Sequence, residues 1–266
     1  MRLRRVILLV VLFICCSCEL LVDMSQEEYQ LRNLYKSTYG EMWNNNTNWY
    51  GYRPISEWYG IITDDNGRVT EIDLSNNNLQ WSFELHLDYF TSLKKVDISG
   101  NVKLQNISIW SEAYVLPELI MNNLIIDNID NWQDAIKFVK DLYVKQTKVS
   151  GWNCSNIESV DVQVCEFKNV ELNQAQNILV DHSDFQSVHF SNIANVIISY
   201  SELNDCRFYN SGYIEIRDSR IYGRPEFLGC SKIRFENVEL IIDDKSYFCV
   251  HGTYNGGEDI FESITK

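Results

Sequence analysis

The sequence predicts a solenoid of about nine coils, with a fold class between α/β and mostly β and a cap at the N-terminus. The first observation is a sequence repeat. The same pattern of apolar and polar residues begins at Ile178, Val196, Ile214 and Ile233, at intervals of 18, 18 and 19 residues. The second is that an apolar residue follows each of these anchors two positions later, which is the alternation of a β-strand. One short coil cannot bury its own apolar face, so each coil must stack on its neighbour.

The anchor column continues towards the N-terminus through Val160, Leu142, Leu119, Val96 and Ile72, at spacings of 18 to 24 residues. Coils of 23 or 24 residues leave room for a helix on the outer side, and the apolar stripe in residues 130–142 predicts one there. Coils of 18 residues leave no such room and should be short and β-rich. Their apolar residues recur every five positions, which argues against a left-handed helix built from hexapeptides.

A column of small polar residues lies five positions after the anchors. Their side chains can bond to backbone groups that a turn leaves unpaired, so we expect them to be buried in the stack. Leu124 and Val238 interrupt the column. Its polar members are Asn77, Asn101, Thr147, Cys165, Ser183, Ser201 and Ser219.

Residues 1–17 have the pattern of a secretion signal. Arginines precede the apolar run Val6–Ile14, which is too short to span a bilayer because a span needs about 20 residues. Ser17 and Cys18 then look like the end of a bacterial lipobox, although Cys15 stands where leucine is usual. We expect cleavage before Cys18 and a lipid on its thiol as the only membrane attachment. An ordinary signal, cleaved without lipid attachment, is the alternative.

Residues 18–68 are interpreted as a tether and the N-terminal cap. Ser25 and Glu28 form a capping box for a helix that Gly40 ends. Three tryptophans that follow should pack together, because an indole is costly to expose. Asn66-Gly67 predicts a hairpin between residues 61–63 and 69–74. The solenoid then covers residues 69–242, and residues 243–266 form a C-terminal cap or tail, in which residues 245–257 suggest a pair of capping strands with Gly256 and Gly257 in a turn.

The segments "VTEIDLSNNNL" and "LKKVDISGN" match the leucine-rich repeat consensus, L-x-x-L-x-L-x-x-N. Together with "LYKSTYGEMWNNNTNW" and "SEWYGI", they resemble the N-terminal caps of bacterial leucine-rich repeat proteins, especially surface lipoproteins of Bacteroidetes. The likeness covers roughly residues 25–105 and implies a right-handed, leucine-rich repeat-like solenoid that binds partners at the cell surface. The later coils depart from this pattern, since they are shorter and rich in Ile, Val and Phe.

Charge and cysteine content limit the partners. The formal net charge is −14, and loss of the three signal arginines takes it to −17. Because no basic patch can neutralise phosphates, we expect no nucleic-acid partner, and anionic lipid headgroups are unfavourable partners too. Five cysteines follow Cys18 without zinc-site spacing, which favours buried free thiols. We expect a monomer that needs no metal or cofactor.

The outward positions beside the anchors form the candidate binding surface, because this strand face is the usual contact surface of leucine-rich repeat proteins. No catalytic motif occurs, so we expect a non-enzymatic module that recognises an extracellular protein or glycan from the outer membrane, exposed on the cell surface. The alternative is a polysaccharide-acting enzyme of the β-helix type that uses the strand-face carboxylates Asp161 and Asp181. The candidate binding residues are Asp73, Asp97, Tyr143, Lys145, Asp161, Gln163, Asp181, Ser199, Glu215, Arg217 and Arg234.

Replacement of Cys18 by alanine tests the lipid anchor. We expect intact mass spectrometry of the membrane fraction to find an acylated chain that begins at Cys18, and Cys18→Ala to abolish it. A mature N-terminus elsewhere, without lipid, would contradict the assignment.

Overall fold

The computed structural model describes residues 26–111, 114–122, 124–126, 136–137, 139–151 and 153–255. The chain is mostly β, with 55% strand and 10% helix, and it forms a β-solenoid of about six turns behind an N-terminal helix. The predicted solenoid and its β-rich character are confirmed. Residues 1–17, Cys18 and Ser25 lie outside the described residues.

The described part of the α-helix, α1, covers residues 26–37. Three 3-10 helices follow, at Gly40–Met42, Ile55–Glu57 and Leu87–Tyr89. The strands, in chain order, are β1 (Ile61–Thr63), β2 (Val69–Asp73), β3 (Gln80–His86), β4 (Lys95–Asp97), β5 (Lys103–Trp110), β6 (Leu116–Asn122), β7 (Ile125–Ile126), β8 (Ile136–Lys137), β9 (Val139–Lys145), β10 (Lys148–Ser150), β11 (Asn153–Gln163), β12 (Glu166–Lys168), β13 (Glu171–Asp181), β14 (Asp184–Gln186), β15 (His189–Ser191), β16 (Asn195–Ser199), β17 (Glu202–Asn204), β18 (Arg207–Tyr209), β19 (Tyr213–Arg217), β20 (Arg220–Tyr222), β21 (Glu226–Leu228), β22 (Lys232–Ile242) and β23 (Lys245–Asn255).

The anchor column forms a continuous ladder of parallel strands. Each anchor pairs directly with the anchor of the next turn, as Val160 does with Ile178 and Ile178 with Val196. All the anchors are buried, as the alternation predicts. In chain order they are Ile72, Val96, Leu119, Leu142, Val160, Ile178, Val196, Ile214 and Ile233.

From residue 139 onward each turn has three sides, and each side stacks on the same side of its neighbours. The anchor strands form the first side, which continues from β9 through β16 and β19 into β22. The second side consists of β10, β12, β14, β17 and β20, each paired in parallel with the next. The third side begins in the first halves of β11 and β13 and continues through β15, β18 and β21.

Left-handed backbone conformations join the three sides. Residues such as Val164, Asn169 and Gln174 have φ of 55°, 52° and 56°, and equivalent residues recur every 18 positions. The N–H of a corner residue still extends the ladder, because that of Val164 donates to the carbonyl of Asp181 in the next turn at 3.0 Å. The residue after a corner points inward, which explains why buried positions recur every five residues.

The polar column confirms the predicted role of its side chains. The Asn101 carboxamide accepts hydrogen bonds from the N–H groups of Asn77 and Leu79 at 3.0 Å each and donates to the carbonyl of Leu74 at 2.9 Å. In the later turns serine side chains make the equivalent hydrogen bonds to the backbone. The Ser201 hydroxyl accepts from the N–H of Ser183 at 3.0 Å and donates to the carbonyl of Ser199 at 2.7 Å.

Aromatic side chains fill the centre of the short turns. Phe190 stacks on Phe208 with ring centroids 4.7 Å apart, and Phe208 stacks on Phe227 at 4.9 Å. Phe167 and Phe185 form a similar stack at 5.3 Å on the second side. Each fully buried Phe contributes roughly 1.5–3 kcal/mol of transfer free energy, so these stacks are a major source of cohesion between turns.

The N-terminal cap closes one end of the stack as predicted. Trp43, Trp49 and Trp58 pack together, with centroids 4.8 and 5.0 Å apart, and each indole N–H donates to a backbone carbonyl. Strand β1 pairs antiparallel with β2, so the predicted hairpin is present. The buried Glu27 carboxylate of α1 accepts from the N–H of Val69 at 3.0 Å, which fixes the helix to the first anchor strand.

Two predicted details are wrong. Where a helix was predicted within residues 130–142, residues 136–137 and 139–142 are strand, and residues 130–135 lie outside the described residues. Strand β9 pairs with both β6 and β11, so the ladder overrides the local helical stripe. At the C-terminus, β23 is one long strand antiparallel to β22, in place of a capping pair. Gly256 and Gly257 lie outside the described residues.

The thiols are buried and free, as the sequence predicts: Cys154, Cys165, Cys206, Cys230 and Cys249 form no disulfide in the described chain. Three of them directly follow left-handed corners. The Cys165 thiol donates to the carbonyl of Gln163 at 3.2 Å, the bond that serine makes at this position in later turns. Burial raises the pKa of Cys165 to about 11 and that of Cys206 to about 12, so both remain neutral thiols.

Replacement of Ser201 by alanine tests the polar column. The change leaves the buried N–H of Ser183 without its acceptor, and we expect a loss of about 1–3 kcal/mol in the free energy of unfolding. Denaturant unfolding measures the loss. The matched control is Ser199→Ala, on the outer surface, which should change stability by less than about 0.5 kcal/mol. Equal effects of the two substitutions would contradict the assigned hydrogen bonds.

Candidate ligand-binding face

The outer surface of the first side, here called the strand face, carries two rows of outward side chains. One position after each anchor, Tyr143 lies directly opposite Asp161, and Asp161 lies opposite Leu179. Three positions after the anchor, Lys145 lies opposite Gln163, and Gln163 lies opposite Asp181. Adjacent strands lie about 4.8 Å apart, so a ligand a few ångströms long can contact two or three turns.

A shallow cavity of about 310 Å³ opens on the strand face where the long coils give way to the short ones. Four predicted binding residues lie together in it: Tyr143, Lys145, Asp161 and Gln163. The remainder of its lining is Glu118, Ile120, Asn122 and Val144. The structure therefore brings together about a third of the predicted set at one place.

The cavity combines one aromatic side chain with opposite charges. Tyr143 is 41% exposed, and neither its hydroxyl nor the Lys145 ammonium has a hydrogen-bond partner among the described residues. The Asp161 carboxylate accepts from the Gln163 amide at 3.2 Å, which orients both groups. A rigid aromatic ring beside an unpaired donor and an oriented carboxylate is suited to anchor a polar ligand.

The carboxylates of Asp73 and Asp97 are already bonded to the backbone. Each carboxylate accepts the backbone N–H of the residue two positions on, at 3.0 Å to Ser75 and 2.9 Å to Ser99. Such Asx turns end the strand and direct the chain into the corner. These two predicted residues line up on the strand face but do not line the cavity.

Glu215, Arg217 and Arg234 form an ion-pair network at the other end of the face. The Glu215 carboxylate, 6% exposed, lies 3.0 Å from Arg234 and 3.4 Å from Arg217. The Tyr213 hydroxyl donates to Glu215 at 3.0 Å, and burial together with this bond raises the pKa of Tyr213. Glu215 and Arg234 are directly opposite each other on neighbouring strands, so the network holds adjacent turns together.

Asp181 and Ser199 lie between the cavity and this network, in register with each other. The Asp181 carboxylate is 2.9 Å from Nδ1 of His182, and the His182 ring stacks on Tyr200 with centroids 4.9 Å apart. Asp161 and Asp181 occupy diagonal positions on neighbouring strands, since Asp161 pairs with Leu179 and Gln163 with Asp181. The two carboxylates are therefore offset along the strand and are not directly opposite each other.

A larger groove, of about 710 Å³, lies on the second side and was not predicted from the sequence. The outward side chains that line it stand six and eight positions after each anchor. Polar residues recur at these two positions, and that pattern could have indicated a second surface. Many of its charges are paired internally, with Lys148 2.6 Å from Glu166 and Arg220 3.4 Å from Glu202. Burial, followed by the nearby Glu202 and Glu166, raises the pKa of Asp184 at its centre. Its lining is Lys148, Val149, Ser150, Glu166, Phe167, Lys168, Asp184, Phe185, Gln186, Glu202, Asn204 and Tyr222.

The strand-face cavity is the better candidate for recognition because, among the described residues, the Tyr143 hydroxyl and the Lys145 ammonium have no hydrogen-bond partner, whereas the groove satisfies much of its own charge. Within the described residues, no group of three or more His, Cys, Asp or Glu side chains is arranged to hold a metal ion. In the same part of the chain, no helix is both long and apolar enough to cross a bilayer.

No protein-family model matches this chain, and no curated protein matches its sequence. The site must therefore be interpreted from its own geometry.

Proposed function

We propose that this chain is a lipid-anchored binding module that recognises an extracellular protein or glycan through the strand face. The observation that carries the proposal is the cavity around Tyr143, where an exposed aromatic ring, an ammonium with no partner among the described residues and an oriented carboxylate meet on a rigid ladder. A rigid surface loses little entropy on binding, which favours recognition.

The cellular setting follows from the residues before the helix. Arg2, Arg4 and Arg5, the apolar run and Cys18 support export across the inner membrane and lipid attachment. We place the module at the outer membrane, exposed on the cell surface, as a monomer with no nucleic-acid partner.

The fold supports a finer architectural proposal. The anchor ladder extends without a break from Ile72 to Ile233, which supports about nine coils with the right-handed, leucine-rich repeat-like winding of the early segments. The Asn column at Asn77 and Asn101 supports the repeat type in the first coils. The short, three-sided turns after residue 139 depart from that pattern.

Retention on glycan and extracellular-protein arrays tests the proposal. We expect Tyr143→Ala to weaken retention of the mature chain by about tenfold or more, because a central aromatic anchor is lost, and Lys145→Ala to weaken it less. The matched control is Tyr29→Ala, a more exposed tyrosine on α1, which should leave retention unchanged. No retention by any probe, or equal losses for Tyr143→Ala and Tyr29→Ala, would contradict the strand-face assignment.

The same preparation distinguishes binding from catalysis. Incubation with acidic and neutral polysaccharides should release no new reducing ends and no unsaturated products. Turnover that is lost in Asp161→Ala would instead establish the polysaccharide-acting enzyme, with Asp161 and Asp181 as its carboxylates.

A further inference from the structure

A second aromatic surface is formed by one residue of the N-terminal cap and one of the first coil, neither of which is on an anchor strand. Tyr39 and Trp81 are 51% and 50% exposed, and their rings stack with centroids 6.2 Å apart and an angle of 26° between planes. The other tryptophans of the cap, Trp43, Trp49 and Trp58, are buried. A half-exposed Trp stacked on a half-exposed Tyr presents a flat apolar surface to solvent, which is costly in a chain that buries its other cap indoles.

The backbone holds both rings in strained conformations. Tyr39 has φ of 54° and Trp81 has φ of 65°, a region that bulky side chains seldom occupy. Such strain costs of order 1–3 kcal/mol per residue and concentrates at functional sites. Trp81 lies nine positions after the anchor Ile72, as the corner residue Asn169 lies nine positions after Val160, so a large indole occupies a position that Asn, Ser, Asp or Gly fills in the later turns.

A β-bulge directs the side chains around Trp81. In the pairing of β3 with β5, Trp81 is opposite Leu104 but Ser82 is opposite Asn106, so Gln105 is the extra residue. Bulges re-aim side chains and occur next to functional sites. Here Trp81 and Ser82 both escape burial, although they are consecutive in a strand.

The polar side chains that follow Trp81 in β3, and those near it on the paired strand β5, have the chemistry that binds hydroxyl groups. The Ser82 hydroxyl donates to the Glu84 carboxylate at 2.8 Å, and Glu84 is exposed. On the paired strand, the side chains of Gln105 and Asn106 reach solvent and form no hydrogen bond with other described residues. A sugar ring needs this combination, because its C–H face stacks on an aromatic ring while its hydroxyls bond to carboxylates and amides at the edge.

We propose that Tyr39 and Trp81, with Ser82, Glu84 and Asn106 at their edge, form a binding site for a neutral saccharide. The site is separate from the strand face, so the cap would bind a sugar ring whatever the strand face recognises.

Titration calorimetry with soluble hexasaccharides of glucose, mannose, galactose and N-acetylglucosamine tests this site. The informative variant is Trp81→Asn, because asparagine tolerates positive φ and removes only the ring. We expect affinity for the saccharide that binds to fall by roughly tenfold or more in Trp81→Asn, and the melting temperature to stay equal or rise as strain is relieved. Trp81→Phe, which keeps an aromatic face, should retain part of the affinity.

Tyr29→Ala, on α1 and outside both proposed sites, serves as the matched control and should bind the saccharide as the parent chain does. Three results would overturn the proposal: no binding of any of the four hexasaccharides, unchanged affinity in Trp81→Asn, or an equal loss in Tyr29→Ala. Unchanged affinity in Trp81→Asn together with a loss in Tyr143→Ala would place the sugar on the strand face, so failure of this site and failure of the strand-face function remain distinguishable.

Discussion

The left-handed corners are the constraint on which the short turns of this solenoid depend. A non-glycine residue in this conformation is costly, and the chain accepts the cost three times in each of the turns anchored at Val160, Ile178 and Val196. Two gains offset it. The corner N–H still bonds to the next turn, as His182 does to the carbonyl of Ser199 at 3.1 Å, and the residue after the corner enters the core. The spacing of five that runs through the sequence is therefore the spacing between successive corners.

The ends of the stack follow from the same hydrogen-bonding requirement. A parallel ladder leaves unpaired backbone groups at its first and last strands, and these attract further strands. Here β1 and β23 fold back antiparallel on β2 and β22, so a local hairpin covers each end. At the N-terminus, α1 and the tryptophan cluster add an apolar cover. The indole donors are satisfied by backbone carbonyls, which lets Trp43, Trp49 and Trp58 be buried without a loss of hydrogen bonds.

The sequence was most informative where one residue type serves one structural purpose. The anchors and the polar column could be predicted because burial and alternation are periodic. The hairpin could be predicted from the turn preference of Asn66-Gly67, and the free thiols from the spacing of the cysteines. The apolar stripe in residues 130–142 led to the wrong prediction of a helix. The same apolar residues, Ile136, Val139 and Leu142, are equally compatible with strands that pair on both edges. Local periodicity does not reveal which neighbours a segment will have.

The candidate site was predictable only in part, for a related reason. The two outward rows follow from the pleat, but their division into free and occupied side chains depends on contacts between turns. The carboxylates of Asp73 and Asp97 form Asx turns, and that of Glu215 pairs with two arginines. The polar ends of Tyr143 and Lys145, in contrast, have no partner within the described part of the chain. The exposure of Trp81 could not be predicted from the sequence, because it accompanies a left-handed backbone and a register shift between β3 and β5 that the residue pattern does not reveal.

The account depends most on the register that turns Ile198 inward and its neighbour Ile197 outward. Denaturant unfolding of Ile198→Asp and Ile197→Asp, measured side by side, tests that register directly. A charge at Ile198, fully buried against Ile216, should cost at least about 3 kcal/mol, whereas a charge at Ile197 should cost less than about 1 kcal/mol. Equal losses, or a larger loss at Ile197, would contradict the assigned faces of the solenoid.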